Sequence, residues 1–306
     1  MAAADRLHAV RRGAGHARRV ARGAVRGAAT SAAAPQAFPP GNFYSPVPSA
    51  ELLSDPAERD RVWPAEAADP PGIDVRSDAQ LALLERLGRH PWPTDAGPRP
   101  AYDPGNDQFP PQDAALLRAL LLELRPRRVV EVGCGWSTTV TGRAIADGGF
   151  ACELTCIEPY PRDFVPSIEQ VTTLRVERVE LTPPSVFAAL GAGDVLFVDS
   201  SHVAKTGSDV VHLVLEVLPR LADGVVVHVH DVFWPHDYPQ GWVRAGFGWN
   251  EQYLLQAFLA GNARAHVLAL SHWLAVRHPE AVAAALGPNL DGSSVWFTTG
   301  PAPLAL

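Results

Sequence analysis

Lysine is almost absent from this chain: of 26 basic residues, only Lys205 is not arginine. With abundant Ala, Gly and Pro, this is the mark of a GC-rich coding bias. A lysine that survives such a bias either does something arginine cannot do or is there by chance. Cysteine is scarce too. Cys134, Cys152 and Cys156 are too few for a disulfide framework, which excludes the small stapled folds and points to a reducing compartment. No secretory pattern is visible, and Arg11-Arg12 is followed by no apolar stretch, so the expected location is cytoplasmic. No apolar run reaches the ~18–20 residues of a membrane span, so an integral membrane protein is excluded. What remains is ordinary for a globular protein: 306 residues, 47% hydrophobic and 19% charged. That length fits one large domain plus an extension.

Charge is unevenly spread. Residues 1–30 hold seven Arg and one Asp, while the whole chain carries a formal −7. The arm has no aromatic residue and little to offer a folded core, so residues 1–34 are expected to be a disordered basic tail. Nucleic acid is not an expected partner. Residues 35–104 read as a Pro-rich accessory region. Within it, Ser77-Asp78-Ala79-Gln80 is a capping-box pattern that opens a short helix over 77–87.

From residue 105 to 306 the texture is that of alternating strands and helices. Residues 112–124 read as a helix with Leu116, Leu117, Leu120, Leu121 and Leu124 on one face. Strands are expected at 128–132, 153–157, 173–179, 194–198, 225–230, 265–270 and 293–298. Helices are expected at 208–220 and at 251–260, the latter capped by Asn250. Several strands are apolar on both faces, as buried parallel strands are. The fold class is therefore α/β, a doubly wound, mostly parallel, seven-stranded Rossmann-like sheet with an N-terminal extension.

In such a sheet, ligands bind beyond the carboxyl ends of the strands. The run Val129-Val130-Glu131-Val132-Gly133-Cys134-Gly135-Trp136-Ser137-Thr138 places two glycines there, where backbone can approach a ligand closely. Glu158 ends the next strand, and a carboxylate at that point can accept both hydroxyl protons of a ribose. A dinucleotide site wants a third glycine where Thr138 stands. Glu131, two residues before the first glycine, suits a cofactor with a cationic end instead. This Glu-x-Gly-x-Gly-x-Ser-Thr pattern resembles motif I of class I S-adenosylmethionine-dependent methyltransferases. It is closest to a bacterial small-molecule O-methyltransferase family. The resemblance covers roughly residues 105–300. It implies S-adenosylmethionine as cofactor, with Glu131, Gly133, Gly135, Ser137 and Thr138 around its methionine part, Glu158 on its ribose and Asp199 beside them. Two rivals stay open: an NAD-dependent Rossmann oxidoreductase, and a protein that binds S-adenosylmethionine without transferring its methyl.

A second cluster leaves the fourth and fifth strands: Asp199, His202 and Lys205, then His230 and Asp231. Three readings compete for it. His202 is a general base for an acceptor hydroxyl; or Asp199, Asp231 and a histidine, His230, hold a divalent metal such as magnesium that acidifies that hydroxyl; or the cluster only braces loops. The metal reading rests on a resemblance to catechol-type O-methyltransferases. Those have an Asn where this chain has Val232, so His230 or His236 must substitute. Asp199, His202, Asp231 and Lys205 are the candidate catalytic residues. Lys205 otherwise pairs with Asp209, and His228 reads as a core histidine.

Residues 232–253 carry seven aromatic side chains, among them Trp234, Tyr238, Trp242 and Trp249. They fit no helical or strand period. They either wall a pocket for a small-molecule acceptor or pack on the accessory region, which has Phe43, Tyr44 and Trp63 to bury. The N-terminal extension either covers the active site or joins a homodimer. The expected reaction is O-methylation of a small hydroxylated metabolite or sugar-like acceptor.

Overall fold

A central parallel strand with no exposed face organises the molecule. In the computed structural model, which describes residues 37–95 and 97–302, Val129, Val130 and Val132 of strand β1 (Arg128–Val132) are all buried. The remaining strands are β2 (Glu153–Ile157), β3 (Val171–Arg175), β4 (Val195–Val198), β5 (Val226–His230), β6 (Ala265–Leu270) and β7 (Ser294–Thr299). Their order is β3-β2-β1-β4-β5-β7-β6. The first five run parallel. β7 enters antiparallel between β5 and β6, with Val227 opposite Phe297. Between β1 and β4 the strand order reverses, the point at whose carboxyl ends sheets of this kind bind ligands. The basic tail expected over 1–34 lies outside the described residues.

The helices form where the apolar spacing predicts, with informative departures. Helix Pro111–Leu124 starts on a proline, whose missing N–H is not needed there. It buries Leu116, Leu117, Leu120 and Leu121. The helix Ser77–Leu87 forms, but without the capping box. Its first flanking residue is Arg76 in the left-handed region (φ 52°), with no side-chain cap. Gln80 turns into the core instead. Its amide donates to the Val75 carbonyl and accepts from Leu270 N at 2.7 Å. β3 begins two residues earlier than expected and stops at Arg175; Val179 instead opens a 3₁₀ turn, Val179–Leu181. The helix expected over 208–220 changes pitch along its length: α-helical over Asp209–His212, π over Leu213–Val217, and 3₁₀ over Leu218–Arg220. Pro219 is the cause, because its ring cannot donate and crowds the carbonyl four residues back. The short helices Ala50–Ser54, Pro56–Val62, Pro184–Ala188, Gln240–Arg244, Ser271–Arg277 and Pro279–Leu286 carry too little periodicity to be read in advance. Among the described residues, no helix is long and apolar enough to cross a membrane.

Two units emerge. Of the described residues, one contains 37–68, Gly105–Gln108 and Pro235–Trp249; the other contains Asp69–Pro104, Phe109–Trp234 and 250–302. Residues 69–104, read in the sequence with the accessory region, thus group with the sheet. Residues 235–249 of the aromatic segment group with residues 37–68, while Phe233, Trp234 and Tyr253 stay with the sheet. Within that first unit, Trp63 Nε1 donates to the Tyr238 carbonyl at 2.8 Å, and Trp242, Phe247 and Trp249 pack ring on ring at 4.8–6.0 Å. Trp63 finds its partner there. Phe43 and Tyr44 stay exposed.

Gln80 bridges two backbone groups, the buried Leu270 N–H and the part-buried Val75 carbonyl. A Gln80→Leu variant should therefore lose about 1–3 kcal/mol in urea-induced unfolding, chiefly the cost of leaving the Leu270 N–H unpaired. An unchanged midpoint would show that the backbone re-pairs without it.

Candidate functional site

The glycine loop forms because the chain must pass over a neighbouring backbone. Gly133 has φ +85°, and a Cβ on it would lie 1.7 Å from the Asp199 carbonyl oxygen. Only glycine tolerates both conditions. Asp199 N in turn donates to the Val132 carbonyl at 2.9 Å, and Gly133 N donates to that of Ile157 at 3.0 Å. The loop is thereby pinned to β2 on one side and to the end of β4 on the other.

Beneath the loop lies Glu131, fully buried. Its Oε1 accepts from Ser137 Oγ at 2.6 Å and from Thr138 Oγ1 at 2.9 Å. Thr138 Oγ1 also accepts from Gly135 N at 2.9 Å, closing the loop onto the helix Trp136–Gly148. The second carboxylate oxygen, Oε2, is buried with no hydrogen-bond partner. Burial pushes the Glu131 carboxyl up, the two hydroxyl bonds oppose this, and the Asp199 charge adds to it, for a pKa of about 7. A buried acid with one oxygen unused is what a cationic group binding at the loop would meet. The residues present therefore fit the amino end of S-adenosylmethionine. Glu158, 6% exposed, ends β2 and accepts from Tyr160 N at 2.8 Å. Arg162 lies over the Trp136 ring at 5.7 Å.

The second cluster assembles at the ends of β4 and β5. His202 and Asp231 both take left-handed backbone, φ 60° and 57°. Along a regular strand Asp231 would face away from His230; the left-handed turn brings it back to the same side. Asp199 Oδ1 lies 3.2 Å from His202 Nε2 and 3.6 Å from His230 Nδ1. Asp231 Oδ2 lies 3.4 Å from His202 Nε2 and 3.5 Å from His230 Nδ1. Asp199, His230 and Asp231 each offer one atom to a group that could hold a metal ion. Both imidazoles are 1% exposed, whereas the Asp199 side chain is 19% exposed and forms the accessible edge.

Each histidine has a buried carboxylate behind it. His202 Nδ1 meets Glu251 Oε2 at 2.8 Å, and His230 Nε2 faces Asp113 Oδ2 at 3.4 Å. Asp113 is held in place by Ser293 N at 2.7 Å and Ser294 Oγ at 2.6 Å. Helix Glu251–Leu259 begins without a side-chain cap from Asn250. The Asn250 amide is used elsewhere: it accepts from Ala204 N at 2.5 Å and donates to the Ala204 carbonyl at 3.3 Å. Asn250 N and Glu251 N both donate to the His202 carbonyl. The loop that carries His202 is thus stapled to that helix.

Electrostatics follow from this crowding. Burial alone would lower the His202 pKa, but the hydrogen bonds to Asp199 and Glu251 and the charge of Asp231 outweigh it and push it up to about 10. His230 moves the same way, and Asp199 is held well below the usual carboxylate range. His228 behaves differently. It stacks on Phe197 at 3.9 Å, and burial followed by the His230 charge pushes it down to about 3, as befits a core histidine. Lys205 is exposed, and among the described residues it makes no ion pair. Asp209, its expected partner, instead accepts from Ser201 N and Oγ. His236 falls in the first unit.

Asp113 carried no signal in the sequence beyond an acid in the first turn of a helix. Its function depends on β7, 180 residues away in the chain. Glu251 was legible, with Asn250, as a helix-start residue that could point into the site, and it meets His202 there.

Residues 130–232 match the family model described as a methyltransferase domain. A curated relative, an uncharacterised protein of Archaeoglobus fulgidus, is 30% identical over 139 residues, covering 42% of this chain and 61% of its own length. The chain thus matches about three fifths of that relative. Among solved structures, the SAH-bound Podospora anserina methyltransferase PaMTH1 is 17% identical, with 79% of this chain and 92% of that one covered at a TM-score of 0.40. The structure described as cmcI-D160 Mg-SAM is 15% identical, with 68% and 85% covered at a TM-score of 0.39. Over residues 130–232, the stretch that holds the glycine loop and the carboxyl ends of β4 and β5, the chain is thus similar to a methyltransferase domain.

Proposed function

We propose that the protein transfers a methyl group from S-adenosylmethionine to a hydroxyl of a small metabolite or sugar-like acceptor. One observation carries this reading. The glycine loop, with its buried unpartnered Glu131 oxygen, touches the backbone of Asp199, which is the accessible edge of the histidine–carboxylate cluster. The cofactor cradle and a device for deprotonating an acceptor therefore meet at one backbone crossing.

S-adenosylmethionine supplies a methyl on a sulfonium, whose thioether leaves neutral and needs no acid. The chain's work is to bind, orient and deprotonate. Glu131 holds the cationic amino end, with Ser137 and Thr138 fixing its carboxylate. Gly133 and Gly135 let the backbone approach. Glu158 accepts from the ribose hydroxyls. Asp199 faces both sites.

Two routes to a more nucleophilic acceptor hydroxyl are available, and the geometry favours the cation over the imidazole. His202 has Nδ1 on Glu251 and Nε2 between Asp199 and Asp231, and it is 1% exposed. Its inward nitrogen faces two carboxylates rather than the accessible edge, which is a poor position from which to take a proton from the acceptor. Asp199, His230 and Asp231 would hold a divalent ion, whose charge makes a hydroxyl beside it more acidic. A nicotinamide oxidoreductase fits less well, because a carboxylate lies beneath the loop where a pyrophosphate would have to sit.

Chelator-treated protein should lose methyl transfer, scored by mass spectrometry as the gain of one methyl group on a polyhydroxylated acceptor. A divalent ion should restore it. Cofactor turnover that continues undiminished in EDTA would remove the cation from the reaction. A second expectation comes from Glu131. Its folded pKa is raised from 4.5 to about 7, so between those values the folded protein holds a proton there that the unfolded chain has lost. Ionising it costs stability as pH rises through 7, and a cationic ligand recovers that cost. Affinity for S-adenosylhomocysteine should therefore fall about tenfold per pH unit below 7. Glu131→Gln should weaken binding and flatten this dependence in calorimetry; a wild-type profile flat from pH 5 to 8 would count against the role.

A further inference from the structure

The four atoms at the centre of the cluster are arranged more like ligands than like ion pairs. A charge-assisted hydrogen bond between imidazolium and carboxylate spans about 2.7–2.9 Å. Here each of two imidazole nitrogens sits 3.2–3.6 Å from both aspartates, favouring neither. Where a true pair forms, on the far side of His202, the distance is 2.8 Å. Four donors about 2.1 Å from one cation stand about 3.4 Å apart on a tetrahedron, against about 3.0 Å between neighbours on an octahedron. The four distances lie around the first value. His230 adds an independent sign. It is 1% exposed, its Nδ1 is aimed at both aspartates, and neither ring nitrogen has a hydrogen-bond partner.

We propose that His202 is a fourth metal ligand, so that Asp199, His202 Nε2, His230 Nδ1 and Asp231 form a two-histidine, two-aspartate site. Its occupant is an ion of the zinc or ferrous class, not magnesium. This rests on the proposed metal-assisted reading and deepens it.

The groups behind the histidines support this. A ligating imidazole commonly gives its other ring N–H to a carboxylate, which fixes the tautomer and the ring plane. His202 does so, with Nε2 inward and Nδ1 on Glu251 at 2.8 Å, and His230 is placed in mirror fashion, with Nδ1 inward and Nε2 turned toward Asp113 at 3.4 Å. Two aspartates neutralise a divalent ion, and two neutral imidazoles complete the donor set. Imidazole suits zinc and iron, whereas magnesium prefers oxygen donors and retained waters.

The test uses the full chain, stripped with chelator and titrated with Co²⁺ as a coloured probe. One Co²⁺ per chain should bind with the intense visible absorption of a four-coordinate ion. Zn²⁺ should bleach that band, and about a hundredfold excess of Mg²⁺ should leave it. His202→Ala should weaken Co²⁺ binding about a hundredfold and change the band shape; Glu251→Gln, a milder change at the second carboxylate, should weaken it about tenfold. Displacement by equimolar Mg²⁺, or a band unchanged in His202→Ala, would overturn the assignment. Calorimetry with S-adenosylhomocysteine separates the two readings. Binding of that ligand without Co²⁺ uptake sinks the metal site alone, and Co²⁺ uptake without that binding sinks the methyltransferase reading alone.

Discussion

Everything at the carboxyl edge of this sheet depends on keeping negative charge away from water. Asp113, Asp231 and Glu251 are buried, Asp199 is nearly so, and Glu131 lies fully buried one strand away. An isolated carboxylate in such surroundings is far too costly to stay ionised. The local structure reads as a set of answers to that cost. Two imidazoles are inserted among the four acids of the cluster, serine donors from β7 close on Asp113, and two hydroxyls cover one oxygen of Glu131. Among the described residues, Glu131 Oε2 and the His230 ring nitrogens are buried without a hydrogen-bond partner. The proposed chemistry of the site starts from these atoms.

Gly133 turns these answers into one machine. Its backbone runs against the Asp199 carbonyl, and Asp199 N bonds back to the Val132 carbonyl. The glycine loop and the Asp199 side chain are therefore referenced to the same few atoms. The in-line transfer proposed for the site needs donor and acceptor set to a fraction of an ångström. A shared backbone crossing provides that registration better than two loops meeting through side chains would, because packed backbone has little room to move.

The parallel half of the sheet was legible because it is built from local signals: apolar runs, glycine turns and acids at strand ends recur in register through residues 128–231. The glycine loop, Glu131 and Glu158 were read for the same reason. The departures all have long-range causes. Gln80 left its capping role because the Leu270 N–H needed a partner. Asn250 left its own because the Ala204 backbone did. Asp113 joined the site only through His230 and β7. Lys205, the compositional oddity, failed to pair with Asp209 because the Ser201 backbone claimed that carboxylate first. Local propensity is a choice among conformations of similar energy, and a single buried polar group that needs a partner outweighs it.

The backbone shows where the structure accepts cost for function. Among the described residues, four non-glycine positions have positive φ, and two of them are His202 and Asp231. Each costs about 1–2 kcal/mol relative to an ordinary conformation. Neither side chain makes a tight turn that would require it. What the left-handed turns achieve is convergence: they swing the His202 ring in from the loop after β4 and bring Asp231 round to the His230 side of β5. Backbone bonds hold both turns in place, two N–H groups on the His202 carbonyl and Val232 N on Ser293 O. On the proposed reading, left-handed backbone at the two residues whose side chains face the centre of the cluster is the cost of holding a ligand between them.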